Sequence, residues 1–589
     1  MSEKLSEPIG RLPRECAERY EDELRGRLGL APRGLEWLTR GEKRLGWWIT
    51  GAVTLIAALT RFFRLGFPDR LMFDETYYVK GANSLLRLGY EVDWQGGTEF
   101  DAAFAAGDFS HTSPAGDYVV HPPLGKWIMA VGQAIFGETS PFGWRFMVAL
   151  AGTLAVALLV RIALRLFLNP WLAGVAGIAM ALDGMGITLS RIGILDNLLA
   201  FFVLAGFWAL LRDRDWTRER LAHRVAFGPV HADGRPAAWG PRVWWRPWML
   251  ATGVFLGLAC GVKWSGIYAV AVFGLVAFAW GMAARHAVGL RLWVGAAVFQ
   301  EGIPAFVHLV PTAAATYVAS WFSWFRDSRS WGHGWAASVR ESTPEALSFP
   351  WLPNSFNDLA HYHSQMWDFH NGLSTPHTYQ SSVWQWFVQW RPVSFWWPTS
   401  EEIAGQCPSG ERCVQAVTSV GNPVVWWLAL LALVVVLWVA FTRFDWRAWA
   451  ILSGYLAMAA PWSLYMDRTI FQFYAVAFLP FVTLALTYGL GYITGALGAP
   501  HARGNGSVRA DRYDDAAWGH ADFIRDEPPG ICAYPVRWWR CLISRRTLAA
   551  CGAVVVLIIL AALFWYPIWT GQTVSYEFWR LHMWLPSWI

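Results

Sequence analysis

Eleven apolar runs, each near the length needed to cross a bilayer, constrain this chain more than any other feature. A helical span needs about 20 predominantly apolar residues, because the hydrocarbon interior offers no water to backbone N–H and C=O groups. The runs fall at roughly 47–66, 143–162, 171–187, 194–211, 247–262, 265–284, 296–319, 424–441, 447–464, 471–494 and 548–569. Residues 124–137 are apolar but too short to cross, and read as interfacial or re-entrant. Only 15% of residues are charged, against roughly a quarter in a soluble protein. The 41 Trp fit a chain with much membrane–water boundary, since the indole is apolar while its N–H wants a polar partner. The expected fold class is an all-α polytopic membrane protein with about 11 transmembrane helices.

Charge sets the expected sidedness. Arg212, Arg214, Arg218, Arg220, Arg224, Arg235, Arg242 and Arg246 lie between the fourth and fifth runs, and Arg503 to Arg546 between the last two. Shorter connections carry Arg161 with Arg165, Arg285 with Arg291, and Arg443 with Arg447. The positive-inside rule assigns these to the cytoplasm. Counting runs then puts 67–142, 323–423 and the C-terminal tail outside, and the N-terminus inside. Residues 1–46 mix acids and bases with no apolar core and read as a partly helical cytoplasmic tail, not a cleaved signal. The expected organisation is that tail; a core over 47–322 with a first outer loop at 67–142; a large outer loop at 323–423; and a second core over 424–589 with a cytoplasmic loop at 495–546. Residues 501–530 are polar and Gly-rich and read as a mobile loop. The net charge of +5 is spread over short connections and gives no basic face for nucleic acid.

Candidate chemistry gathers on the outer side. Asp74 and Glu75 are adjacent carboxylates just past the first run. One as general base with the other as orienting group is a workable pair, although a solvated loop start would have the same appearance. His121 and Lys126 in VVHPPLGKW could meet a polar ligand, or form a stiff turn with a snorkelling lysine. Arg145, Arg191 with Asp196, Lys263 and Arg468 stand at outer ends of runs, where an ionisable group asks for a reason. Several cations around a carboxylate suggest an anionic ligand such as a phosphate. His361, His363, His370 and His377 match no standard zinc spacing, so no metal is expected. Cys407 and Cys413 share the large outer loop, where an oxidising compartment favours a disulfide.

The motifs FDETYY, HPPLGKW, PFGWRF, SRIGILDN, GVKWSG, HYHSQMWDFH and RPVSFWW occur in the order seen in protein O-mannosyltransferases. The chain resembles the bacterial, actinobacterial branch, which uses polyprenyl-phosphate-mannose. The resemblance runs from about residue 47 to the C-terminus. It implies a GT-C architecture, an outer active site, and inverting transfer of one mannose from the lipid phosphate to Ser or Thr of secreted or membrane proteins. It also implies Asp74 as general base, Glu75 on acceptor or sugar, and Arg145 on the donor phosphate. His121, Lys126, Arg191, Asp196, Lys263 and Arg468 are weaker candidates for the same pocket, and His363 and His370 for acceptor or loop contacts. The outer loop is too short for the β-trefoil MIR domain that fungal and animal members insert there. Expected partners are the polyprenyl-phosphate-mannose donor, a Ser/Thr-containing polypeptide with the secretion translocon as one route of delivery, and the lipid bilayer. No cofactor is required. A GT-C enzyme acting on cell-wall glycan or lipid is the alternative. A transporter would want charges at mid-membrane and matching halves, and neither is found.

Overall fold

The computed structural model describes residues 10–94, 97–231, 236–403, 405–407, 412–497 and 545–589. The expected loop at 501–530 lies outside the described residues. Helices dominate, and each of the eleven apolar runs is helical over most of its length. Among the described residues, six helices are long and apolar enough to cross a membrane on their own. The count is seven if the bent pair Pro170–Ala181 and Gly184–Ser190 is one span. Pro247–Val262 and Leu479–Ile493 are apolar but shorter. The apolar part of Asp196–Ala226 ends at Arg212, and a charged second half continues the helix.

Local signals explain where the helices begin. Thr39 and Glu42 form a reciprocal capping box at the start of Arg40–Phe62, satisfying donors that the first turn leaves free. Proline opens Pro141–Phe167, Pro170–Ala181, Pro247–Val262 and Pro423–Arg443, where its missing N–H costs nothing. The span expected at 171–187 is instead broken, with a 58° bend. Asp183 causes the break: its carboxylate accepts Gly186 N–H at 3.0 Å to start a new helix, and Asn422 N–H and Trp426 Nε1–H, both at 2.9 Å.

Small residues bring one pair of helices together. Gly253, Gly257 and Gly261 repeat every fourth residue along Pro247–Val262 and face Ile303–Ala319 and Ser320. A Cβ at Gly257 would lie 2.6 Å from the Ala313 carbonyl oxygen, so only glycine permits this approach. The packing fixes the end of the helix, and so places Lys263.

The N-terminal tail is not simply solvated. The helix Arg14–Arg27 buries Leu24, and Leu28 follows it into a cluster with Leu221, Val225, Val243 and Ala284. Arg218 donates to the Leu28 carbonyl at 2.7 Å. Burial of this apolar stripe, invisible beside the tail's many charges, is what docks it. In the segment between Asn354–Gly372 and Pro423–Arg443, Cys407 and Cys413 are joined by a disulfide with Cα atoms 5.8 Å apart. Cys413–Val414 then pairs antiparallel with Val574–Ser575, tying the loop to the C-terminal segment.

Candidate active site

Asp74 and Glu75 are neighbours in sequence with opposite environments. Glu75 begins the helix Glu75–Leu88 and is wholly buried, as is Arg145. Glu75 Oε1 accepts Arg145 Nε–H at 2.8 Å, Gly193 N–H at 2.6 Å and Trp144 Nε1–H at 3.2 Å. Its Oε2 accepts Arg145 Nη2–H at 2.8 Å and Met72 N–H at 2.9 Å. A carboxylate with five donors is held in place.

Arg145 is equally committed. Beyond Glu75, its Nη1 donates to the Leu65 and Pro68 carbonyls at 3.3 and 2.7 Å, and its Nη2 to the Arg70 carbonyl at 2.9 Å. That accounts for all five N–H groups of a guanidinium. The expected contact of Arg145 with a donor phosphate therefore has no donor left to make it. Arg145 and Glu75 instead fasten the 65–75 loop to the helix bundle. Gly193 completes the lock, since a Cβ there would sit 3.3 Å from Glu75 Oε1.

Asp74 is presented by this locked loop. It precedes the helix, is half-buried, and its carboxylate takes part in no helix-capping bond. Phe73 just before it adopts a left-handed backbone, φ 51°, a conformation that costs a non-glycine residue about 1–3 kcal/mol. Edge-to-face contacts of the Phe73 ring with Phe395, Phe471 and Phe473, centroids 5.2–6.4 Å apart, hold it there. Burial pushes the Asp74 carboxyl up to about 6; Lys263 draws it down and Asp196 pushes it further up.

Five of the weaker candidates fall in two groups. Lys263 and Asp196 form an ion pair at 2.8 Å beside Asp74, with the Lys263 ammonium 4.4 Å from the centre of the Tyr474 ring. His121, His370 and Arg468 make the second group. His370 donates Nε2–H to the Val120 carbonyl at 2.8 Å and accepts an Arg468 N–H on Nδ1 at 3.1 Å, which assigns its neutral form. The His121 ring stacks on it, centroids 5.1 Å apart. Burial lowers both imidazoles, with Arg468 and Lys263 adding to it, and brings His370 to about 4. The buried Arg468 Nε and His121 Nδ1 have no hydrogen-bond partner. Tyr78, with its ring 5.9 Å from that of His121, lies between this group and Asp74.

Two other expected ligands do structural work. Lys126 is fully buried and pairs with Glu91 at 2.7 Å, with a second bond to the His121 carbonyl at 3.1 Å. Arg191 donates to the carbonyls of Arg61, Phe63 and Arg64 at 2.7–3.0 Å, closing the end of Arg40–Phe62. The four histidines His361, His363, His370 and His377 do not converge on one point. His361 stacks on Trp335, centroids 4.1 Å apart, and His377 Nδ1 accepts Tyr379 N–H. His363 takes part in a chain: Trp264 Nε1–H donates to Tyr317 Oη at 2.8 Å, Tyr317 bonds His363 Nε2 at 2.6 Å, and His363 Nδ1 meets the Leu359 carbonyl at 2.7 Å. Tyr317 has no signal in sequence, because a tyrosine in an apolar helix reads as packing.

A half-buried carboxylate, an ammonium–carboxylate pair beside it and a group of Arg468, His121 and His370 with unpartnered nitrogens have the chemistry to activate a hydroxyl and neutralise a departing anion. Known proteins align with this chain over most of its length. The family model described as dolichyl-phosphate-mannose-protein mannosyltransferase matches residues 51–321. A second, the C-terminal four TMM region of protein-O-mannosyltransferase, matches residues 355–501. The polyprenol-phosphate-mannose–protein mannosyltransferase of Mycobacterium tuberculosis is 34% identical over 559 residues, covering 92% of each chain. That of Corynebacterium glutamicum is 34% identical over 483 residues, covering 80% of this chain and 86% of the relative. Among solved structures, the Saccharomyces cerevisiae protein O-mannosyltransferase Pmt1–Pmt2 complex bound to the sugar donor aligns with TM-score 0.61 at 15% identity. It covers 96% of this chain and 94% of that chain, a likeness of fold.

Proposed function

This chain belongs to the dolichyl-phosphate-mannose-protein mannosyltransferase family, and from that premise we propose how its residues carry out the transfer. It is a multi-pass membrane glycosyltransferase of the GT-C fold that moves mannose from polyprenyl-phosphate-mannose to a protein hydroxyl. Asp74 is the general base. As the Ser or Thr oxygen attacks the anomeric carbon, its proton passes to an Asp74 carboxylate oxygen. The bond from that carbon to the phosphate oxygen breaks with inversion, and polyprenyl phosphate leaves as an anion that needs no acid.

The observation that carries this reading is the contrast between the two carboxylates. Glu75 spends its acceptors on five donors, while Asp74 is open and raised toward neutrality. A base whose pKa lies near the working pH is both deprotonated and basic enough to be useful. Arg468 and His121 supply the unpartnered nitrogens for the phosphate, Lys263 adds charge, and Asp196 orients Lys263. His363 and His370 line the approach of the acceptor. The proposal needs no cofactor. The basic connections support a cytoplasmic N-terminus and an extracytoplasmic site, where the acceptor would arrive from the secretion translocon.

The test is transfer of radiolabel from polyprenyl-phosphate-mannose to a Thr/Pro-rich peptide by membranes containing this chain. Labelled peptide is expected. Label found only in glycan or lipid would move the enzyme to a different acceptor class.

A further inference from the structure

A cavity of about 1710 Å³ opens at the end of the helix bundle opposite Asp74. Its position follows from the helices that line it. Lys43 and Trp47 sit at the start of Arg40–Phe62, whose other end leads to Asp74. Arg161 lies 16 residues beyond Arg145 on one helix, and Arg212 lies 16 residues beyond Asp196 on another. At 1.5 Å per residue each separation is roughly 24 Å, most of a bilayer's hydrocarbon thickness.

Much of the lining is cationic. Ten arginines and lysines line the cavity against five carboxylates. Asp215 pairs with both Arg165 and Arg214, but Arg161, Arg212 and Arg218 take part in no ion pair among the described residues. The buried Arg161 Nη1, Arg212 Nε, Arg214 Nε and Arg218 Nε have no hydrogen-bond partner. Tryptophans hold several of these guanidiniums in place. Arg161 lies 4.0 Å from the ring centre of Trp47, Arg212 4.7 Å from that of Trp248, and Arg214 3.5 Å from that of Trp446. Apolar residues line the rest of it, among them Leu158, one turn before Arg161, and Trp208, one turn before Arg212, with Val276, Ala279 and Val439.

We propose that this cavity binds an anionic, phosphate-bearing lipid from the leaflet opposite the catalytic face. Its phosphate sits on Arg161, Arg212 and Arg218, and its hydrocarbon lies along the apolar residues beside them. Planar guanidiniums that pair with no carboxylate match phosphate oxygens, and basic recesses between spanning helices suit lipid headgroups. A small soluble anion would use the guanidiniums and leave the apolar lining bare. Two lipids carry this chemistry: a bilayer phospholipid such as phosphatidylglycerol, and a polyprenyl monophosphate.

The test is native mass spectrometry of the full chain in neutral detergent. Phosphatidylglycerol, phosphatidylcholine, a polyprenyl monophosphate and inorganic phosphate are titrated separately. At least one anionic lipid is expected to bind no less than tenfold better than phosphatidylcholine; whichever binds tighter identifies the source. An arginine near a lipid surface is worth roughly a fivefold change in affinity. Arg161→Gln alone should therefore weaken binding about fivefold, and Arg161→Gln/Arg212→Gln/Arg218→Gln about 100-fold. The polyprenyl arm is read as the difference between wild type and the triple variant, which share the Arg468 recess. Arg340→Gln, an exposed cation of the outer loop, should leave lipid binding unchanged. The single variant keeps the test readable if the triple variant fails to fold. Phosphatidylcholine binding as well as the anionic lipids, full displacement of lipid by equimolar inorganic phosphate, or unchanged affinity in folded arginine variants would each overturn the proposal.

Discussion

Replacing each of the two adjacent carboxylates by its amide should give opposite phenotypes. Asp74→Asn keeps the size of the side chain and removes only its basicity. The Asp74 carboxylate caps no helix and burial disfavours its charge, so the neutral amide should leave the protein at least as stable as wild type near neutral pH. Transfer should fall by about 100- to 10,000-fold, the usual contribution of a general base, with donor binding retained. Glu75→Gln is different. Its two oxygens accept five N–H donors, three on Oε1 and two on Oε2. An amide can keep one oxygen, so its NH₂ must face at least two of those donors. The buried Arg145 also loses its counter-charge. Breaking a buried pair in this way costs about 3–5 kcal/mol. The paired assay is single-turnover mannose transfer together with thermal unfolding followed by tryptophan fluorescence in detergent. Asp74→Asn should be inactive with a midpoint at or above wild type, and Glu75→Gln should unfold well below wild type. An active Asp74→Asn enzyme would refute the base assignment. A Glu75→Gln protein of wild-type stability would refute the lock.

Further outcomes follow from the same contacts. Arg145→Lys keeps the charge but cannot reproduce five directed N–H bonds; transfer and unfolding midpoint should both fall while donor Kd stays within about twofold, and a selective loss of donor affinity would return Arg145 to the phosphate. Arg468→Gln should weaken donor binding about 10- to 100-fold, since a charge-assisted bond is worth roughly 1.5–3 kcal/mol; unchanged donor affinity by equilibrium binding would remove it from the recess. The rate of transfer should rise with pH through about 6 and then level, as Asp74 loses its proton. The same raised pKa makes the folded state hold a proton that the unfolded chain has lost, so Asp74 subtracts stability as pH climbs from about 4 to about 6; a rate independent of pH between 5 and 7 would count against the base. A cysteine at exposed position 108 should react with an impermeant reagent from outside the cell and one at exposed position 219 only after permeabilisation; the reverse pattern would invert the assigned sidedness.

The linear order of residues was sufficient for what depends on transfer from water to hydrocarbon. Apolar runs announce helices wherever they occur, because a backbone in lipid must satisfy itself. All eleven runs became helical, and the acidic pair, the outer cations and the family motifs were legible as well. The division into separate spans was less legible: Asp183 interrupts one run by hydrogen-bonding across the bundle to Asn422 and Trp426, partners some 240 positions away in the chain. Sequence could not say which cations remain free. Arg145, Arg191, Lys126, Lys263 and Arg468 are alike as charges at the outer ends of apolar runs. Their capacity for a ligand depends on which carbonyls and carboxylates the fold brings to them. Packing gives Arg145 five acceptors and Arg191 three carbonyls, and leaves the Arg468 Nε without any. Hydropathy measures where a segment prefers to sit; the use of each N–H is decided only when distant segments meet.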